Sequence, residues 1–388
     1  MNTYLDTLPT YVDKIKAFRD IIITNIVLIG EKSAPTFKEK SRVKLFMERL
    51  AEFQVDECSV DSYQNPIGII RGAAKNKPPI FVVAHLDTLV DRQDFFNYTV
   101  KRNSISGPGV ADNSTGVGVL ISLPWIIKEL NLQFQSDIVL AGVIQSIGKG
   151  NLRGVRHLLK TWEGPIRGAV CVEGVELGRF NYYSEGMLRG EIECTASPTS
   201  NKTHRPNPNA ILILNEILNK ILELRLPQKP YSRIVIGKMN GGYHYGRDAL
   251  EGNIGFEIHS NADDIVKEII NDIKDIVESI KRIYEVDLKL KILSNLNATR
   301  LEFNHPLVKT TNTIMNKLNL EPISASSESE LSIFLSKSIP AVTLGVTNTN
   351  KDSIDTSIEI EPIFKGITQI IGVMQAIDNG VCDGKKLA

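Results

Sequence analysis

The sequence predicts an α/β protein with a mostly parallel sheet flanked by helices on both faces, into which a smaller, ferredoxin-like α+β domain is inserted. Two observations predict this architecture. Short apolar runs alternate with segments of helical periodicity towards both ends of the chain, and a block with a different order of elements lies between them. The length of 388 residues also favours two domains over one.

Short apolar runs predict the strands of the parallel sheet. They are apolar throughout instead of alternating with polar residues, which is typical of strands that are buried on both faces. Residues 116–130 lie between two of the runs and predict a helix, as does the periodicity of residues 10–53. The predicted strands are residues 78–85, 136–146, 167–174 and 339–347.

The inserted block has its own order of elements, which is strand, helix, two strands, helix, strand. That order is typical of a split-βαβ, ferredoxin-like module. Its clearest element is residues 263–284, where isoleucines at 265, 269, 273, 276 and 280 form one apolar face of a helix. We therefore predict one α/β domain of residues 1–186 and 299–388, interrupted by an inserted domain of residues 187–298.

Composition narrows the class of protein. Acidic and basic residues balance at 45 each, so we expect neither nucleic acid nor an anionic membrane as a partner. The four cysteines are scattered without pairing motifs, which indicates reduced thiols. The first residues lack the basic segment followed by an apolar segment that is typical of a signal peptide, and no apolar stretch of 18 residues is evident. We expect a soluble, cytoplasmic protein.

Chemistry-bearing side chains lie at the ends of predicted strands. His85 and Asp87 follow the first run, Asp112 lies in a glycine-rich turn, and Glu173 ends the third run. Each alone has a plain structural explanation: a core histidine, a helix cap, a loop carboxylate. Together, one imidazole and two carboxylates match the ligands of an open zinc site, and ligands of parallel sheets bind beyond the carboxyl ends of strands. Asp87 is positioned to orient the imidazole of His85.

The motifs resemble a known enzyme family. His-x-Asp-Thr at 85–88 and Gly-x-Gly-x-x-Asp-Asn-x-x-Gly at 107–116 are similar to the first two metal motifs of the zinc metallopeptidases and amidohydrolases that include aminoacylase, acetylornithine deacetylase, succinyl-diaminopimelate desuccinylase and peptidase T. Residues 184–196, Gly241-Gly242 and 305–308 fit its later segments. The resemblance covers nearly the whole chain. It implies that the inserted domain is a lid that pairs in a homodimer, and that the substrate is a peptide or an N-acyl amino acid.

The resemblance also implies two zinc ions bridged by Asp112, one of them held by His85 and Glu173. The family's Glu-Glu pair, which activates water and binds the second ion, falls on Gln145-Ser146 here, and its late histidine falls near Lys351. Glutamine is no general base, and serine and a cationic lysine are poor zinc ligands. We therefore expect one zinc ion and a lost second site, with the Lys351 ammonium replacing part of the lost charge.

Lid residues complete the predicted site. His204 matches a lid histidine that reaches the partner subunit's site and stabilises the developing oxyanion, although a surface loop histidine explains it equally. The family's carboxylate-binding asparagine and arginine fall on Gly246 and His259, and His244 and Arg247 lie close by in sequence. We expect His259, Arg247 and His244 to bind the substrate.

Three hypotheses of function follow. The chain is a single-zinc enzyme, either a hydrolase that uses Asp87, Glu185 or the substrate as base, or an acyl-transfer or amide-forming enzyme. Alternatively it is a non-catalytic pseudo-peptidase that binds a peptide or an acylated amino acid. Dimerisation through the inserted domain is compatible with both.

Overall fold

The helices and strands are described in a computed structural model that covers residues 3–89, 97–197, 208–349 and 357–383. The helices are α1 (Thr3–Lys16), α2 (Arg19–Gly30), α3 (Lys40–Glu52), α4 (Thr115–Glu129), α5 (Arg153–Thr161), α6 (Ala210–Leu222), α7 (Asp263–Tyr284), α8 (Pro306–Lys317), α9 (Glu330–Ser336) and α10 (Glu361–Asp378). The strands are β1 (Glu57–Val60), β2 (Pro66–Ile70), β3 (Ile80–His85), β4 (Thr99–Val100), β5 (Ser104–Ser106), β6 (Ile138–Val143), β7 (Gly168–Val175), β8 (Phe180–Asn181), β9 (Tyr183–Ser184), β10 (Gly186–Thr195), β11 (Ser232–Gly241), β12 (Glu251–Ser260), β13 (Asp287–Leu296), β14 (Thr299–Arg300), β15 (Ala341–Thr347) and β16 (Ser357–Glu359).

The chain divides into two units. The first unit comprises Met1–Tyr183 and Arg300–Ala388, and the second comprises Ser184–Thr299. The second unit is therefore a continuous segment inserted into a discontinuous one.

The first unit contains a seven-stranded sheet with the order β1-β2-β6-β3-β7-β15-β8. Its four central strands, β6, β3, β7 and β15, run parallel, whereas β2 and β8 pair antiparallel with their neighbours. Every residue of β3, β6 and β15 is buried, and because successive side chains point to opposite faces, both faces of these strands are covered. The predicted fold class is confirmed.

Helix α4 is part of the core of the first unit. Gly118 allows α4 to lie close to α2, because a Cβ at this position would come within 2.7 Å of the backbone of Ile26. Among the described residues, the segment Val110–Glu129 has the length and apolarity of a membrane span, but it is 89% buried within the protein. Its apolar composition is therefore explained by packing in the core.

The second unit is a four-stranded antiparallel sheet with two helices. The strand order is β11-β12-β10-β13, and α6 and α7 pack on the sheet around a core that includes Ile192, Phe256 and Ile273. Helix α7 has the predicted bounds. Its apolar face differs slightly from the expected one, since Val266, Ile270 and Val277 are buried while Ile265 and Ile276 are only partly buried.

The opposite face of this sheet carries paired charges. Arg189 lies 2.6 Å from Glu257, and the Lys238 ammonium lies 3.1 Å from the carboxylate of Glu191. Lys238 reaches Glu191 across β12 because Gly255, which pairs with both residues, has no side chain there. Glu191 is only 5% exposed, whereas the Lys238 side chain is 47% exposed, so only the carboxylate of this ion pair is shielded from water.

We expect Glu257→Gln to lower the free energy of unfolding at neutral pH by about 1–2 kcal/mol. The hydrogen bond from His259, together with the Arg189 guanidinium, lowers the pKa of Glu257 to about 2 although partial burial opposes this. The carboxylate therefore stabilises the fold fully above its unfolded pKa of roughly 4.3, and this contribution is lost as the pH falls towards about 2.

Urea denaturation at neutral and acidic pH measures the effect. The exposed Glu278→Gln on α7 is the matched control and should change stability by less than about 0.5 kcal/mol. A difference between the wild type and Glu257→Gln that grows as the pH falls would contradict the assignment.

Candidate metal centre

The candidate metal centre lies at the carboxyl ends of β3 and β7. His85 is the last residue of β3, and Glu173 lies near the end of β7. The two strands are parallel neighbours whose register pairs Val83 with Cys171, which places His85 and Glu173 level with each other two residues further on. Asp112 joins them from the turn Val110–Ser114 that precedes α4.

Three side chains converge on one point. The Nε2 atom of His85 lies 3.0 Å from Oδ1 of Asp112 and 3.9 Å from Oε2 of Glu173. One ligand atom from each of the three residues lies within 4.8 Å of the other two. The His85 side chain is 6% exposed and that of Glu173 14%, so the point is shielded from bulk water on the side of the sheet.

Asp87 organises the surroundings of His85. The Nδ1 atom of His85 lies 3.0 Å from the backbone carbonyl oxygen of Asp87, which fixes the orientation of the ring. The buried carboxylate of Asp87 accepts hydrogen bonds from the N–H groups of Ser146 (3.1 Å) and Ile147 (2.8 Å) and from the hydroxyl of Thr36 (2.9 Å). Asp87 therefore holds the loop after β6 beside the histidine.

The site concentrates negative charge. Burial raises the pKa of Glu173 to about 7, and the nearby Asp112 and Glu330 carboxylates contribute to the rise. Burial alone would lower the pKa of His85, but its interactions with Asp112 and Asp87 raise it well above the usual value. A proton on Nε2 of His85 thus lies where it offsets the carboxylates, and a divalent cation at the same point would do so more completely.

The positions that match the family's Glu-Glu pair take part in different contacts. Gln145 has a positive φ of 53°, accepts a hydrogen bond from the Tyr63 hydroxyl at 2.9 Å, and donates its backbone N–H to Glu39 at 3.0 Å. The Ser146 hydroxyl donates to Oε1 of Glu330 at 2.5 Å. A carboxylate from the first residue of α9 thus lies beside Ser146.

Sequence reasoning missed three residues near the site. Glu330 is 2% exposed and begins α9, in a serine-rich segment without a strand-end pattern. The Arg179 guanidinium contributes, after His85, to the lowered pKa of Asp112 and partly opposes the rise in the pKa of Glu173. Arg42 is fully buried, and its guanidinium donates to the carbonyl of Leu86 (3.0 Å) and the hydroxyl of Ser114 (2.9 Å). None of these contacts is visible as a spacing in the sequence.

The predicted substrate-binding residues are not brought together. His259 is buried near the end of β12, where its Nε2 lies 3.0 Å from Glu257. His244 and Arg247 are exposed in the connection between β11 and β12. They lie at the other end of the sheet, about 26 Å from His259 along the strand, so a single ligand group cannot contact all three. His204 and Lys351 lie outside the described residues.

Comparisons with known proteins establish the fold. No family model and no curated protein sequence matches the chain. The dipeptidase Dug1p from Saccharomyces cerevisiae shares the fold with a TM-score of 0.77 and 12% identity, over 98% of this chain and 100% of that one. A tripeptidase from Staphylococcus aureus gives 0.73 and 15%, over 93% and 99%. A dinuclear metal-binding peptidase of the M20 family from Bacillus subtilis gives 0.64 and 13%, over 92% and 98%.

These similarities match the family that the motifs resemble. Other solved structures with the same fold are amidases of the hydantoinase and carbamoylase family. The fold of this chain is therefore that of peptidases and amidohydrolases, and it extends over nearly the full length of the solved structures.

We expect Arg42→Met to destabilise the protein by roughly 3–5 kcal/mol, because it leaves buried hydrogen-bond acceptors without a donor. Besides Leu86 and Ser114, the backbone carbonyl of Lys32 loses its bond from Nε of Arg42. Urea denaturation measures the change. Lys44→Met on the same helix removes an exposed cation and should cost less than about 0.5 kcal/mol. Equal effects of the two variants would refute a structural role for the buried guanidinium.

Proposed function

We propose that this chain is a zinc-dependent amidohydrolase or peptidase that cleaves a peptide or N-acyl amino acid with a single ion, held by His85, Asp112 and Glu173. The convergence of these three side chains within 4.8 Å carries the proposal. One imidazole and two carboxylates leave a coordination position for water or substrate, as catalytic zinc sites require. Their location at the carboxyl ends of parallel strands is the usual place for a ligand in such a sheet.

The residues fit a zinc ion chemically. His85 can donate from Nδ1 to the carbonyl of Asp87, which leaves the lone pair of Nε2 for the metal. The two carboxylates are close enough to repel each other. Burial, and to a smaller extent this repulsion, raises the pKa of Glu173 to about 7. A divalent cation would relieve that repulsion and favour the ionised carboxylates.

When bound, zinc supplies a Lewis acid that polarises the amide carbonyl and lowers the pKa of water. The chain's own residues orient the ligands and the adjoining loop and supply positive charge. Asp87 fixes the ring of His85, and through Ser146 and Ile147 it fixes the adjoining loop. Arg179 adds positive charge on the side of Asp112 and Glu173, where it would attract a substrate carbonyl or carboxylate oxygen.

A non-catalytic binding protein is the second candidate function. It is favoured by Gln145, which cannot take a proton from water at neutral pH. The side-chain oxygen of Gln145 instead accepts a hydrogen bond from the Tyr63 hydroxyl. In this case the site at the ends of β3 and β7 binds a peptide or an acylated amino acid without cleaving it. An acyl-transfer or amide-forming enzyme would use the zinc site with an amine in place of water.

We expect one zinc ion per chain in protein purified without an affinity tag or chelator. His85→Ala should reduce the zinc content below about a tenth of an ion, because it removes the nitrogen ligand. His157→Ala is the matched control, since His157 bonds to Ser62 and stacks on Tyr63, away from the cluster. Plasma mass spectrometry measures the metal content.

The outcomes separate the candidate functions. Two zinc ions per chain would show that a second site exists, and would support an ordinary two-metal hydrolase. No zinc, even after zinc is added back, would refute the single-zinc enzyme and support the binding protein.

Zinc affinity should fall as the pH drops below about 7. Protons compete with the metal for His85 and Glu173, and burial raises the pKa of Glu173 to about 7 while the carboxylates around His85 raise its pKa well above the usual value. Each displaced proton raises the dissociation constant up to about tenfold per pH unit. Titration against a fluorescent zinc chelator between about pH 8 and pH 6 measures this. A constant affinity over that range would contradict the ligand set.

A further inference from the structure

We propose that Glu330 is the proton acceptor of this site, supplied by α9 in place of the glutamate that Gln145 replaces. The inference rests on the proposed zinc-dependent function and assigns a catalytic residue to it. Four observations support it: the burial of Glu330, its bond to Ser146, its proximity to Glu173, and the lack of a structural need for its charge.

A continuous set of contacts connects Glu330 with His85. The Asp87 carboxylate, which adjoins His85, holds the backbone N–H groups of Ser146 and Ile147. The hydroxyl of Ser146 in turn donates to Oε1 of Glu330 at 2.5 Å. The Glu330 carboxylate therefore lies against the residue next to Gln145, the position at which the family resemblance expects the general base. The acidic group is thus retained while its position in the sequence has changed.

The carboxylate lies near the proposed ligands without being one of them. Helix α9 contacts β7, and the Glu330 carboxylate contributes to the raised pKa values of Glu173 and Cys171, whose side chains project from the same face of that strand. It does not belong to the group of three ligand atoms that lie within 4.8 Å of one another. A carboxylate in the next layer around a metal is suited to accept a proton from a water that the metal polarises.

Structural stability does not explain a charge at this position. Glu330 is 2% exposed, and the residues that follow it in α9, including Leu331, Ile333 and Phe334, are buried and apolar. Within the described part of the chain, no lysine or arginine forms an ion pair with Glu330, and Ser146 is its side-chain hydrogen-bond partner. Burying a carboxylate against one neutral hydroxyl is energetically unfavourable. A role in chemistry accounts for that cost.

In the proposed step, the water oxygen bonds to the amide carbonyl carbon, one water proton passes to Glu330, and the carbonyl π electrons move to the carbonyl oxygen. Protonated Glu330 then gives that proton to the amide nitrogen as the C–N bond breaks. The products are a carboxylic acid and an amine, and Glu330 returns to its ionised form.

Acetohydroxamic acid binding to the zinc-loaded protein tests the proposal without relying on turnover. This ligand binds zinc as its anion, so its proton must pass either to a base in the site or to the buffer. Isothermal titration calorimetry in buffers of different ionisation enthalpy counts the protons released. We expect near-zero release from the wild type and about one proton from Glu330→Gln, with an affinity at least about tenfold lower and an unchanged zinc content.

A matched control and a second variant accompany the test. Glu39→Gln alters another buried carboxylate, which bonds to the backbone of Phe37 and Gln145, and should behave as the wild type does. If Glu330→Gln does not fold, Glu330→Asp keeps a carboxylate and should release less than about half a proton.

Three outcomes would overturn the proposal. Wild-type affinity and wild-type proton release in Glu330→Gln would do so while leaving the zinc enzyme in place. Release of a full proton from Glu330→Asp would have the same meaning where the glutamine variant is unfolded. A wild-type protein that binds no zinc would overturn both this inference and the proposed function.

Discussion

The parallel pairing of β3 with β6 and β7 is the constraint on which the first unit's site depends. It places the carboxyl ends of these strands at one edge of the sheet, so His85, Glu173 and the loop after β6 lie side by side although they are far apart in sequence. Both faces of the central strands are covered by packed side chains, so polar groups can emerge only at the strand ends. The candidate metal centre lies at this edge because packed side chains cover both faces of the central strands.

Buried polar groups convert that edge into a defined geometry. Asp87 bonds to the loop of Ser146 and Ile147 and also fixes the ring of His85. Arg42 joins the carbonyl of Leu86 to the hydroxyl of Ser114, and so connects the segment after β3 with the turn that carries Asp112. Each side-chain nitrogen of Arg42 and each carboxylate oxygen of Asp87 has a hydrogen-bond partner, which is the condition for a buried polar network to rigidify a site instead of weakening it.

The site also shows how a carboxylate can be retained in space while a motif is lost from the sequence. Gln145 and Ser146 stand where the family resemblance expects two carboxylates. One carboxylate is nevertheless present there, because Glu330 accepts a hydrogen bond from the hydroxyl of Ser146. What a catalytic site requires is a charge at a point in space, and the element that supplies it can differ. The second unit is organised independently, with its own core and a charged sheet face on which Glu257 and Arg189 stabilise each other.

The sequence by itself determined the central strands β3, β6, β7 and β15, helix α4, the strands and helices of the second unit, and the grouping of His85, Asp112 and Glu173. Burial on both faces leaves an apolar pattern that can be read directly, and parallel strands bring their ends to one edge in any such sheet. Only the tertiary structure placed Glu330 beside Ser146, because that contact spans 184 residues and depends on how α9 packs. Only it separated His259 from His244 and Arg247, because a strand as long as β12 carries residues that are near in sequence to opposite ends of a sheet.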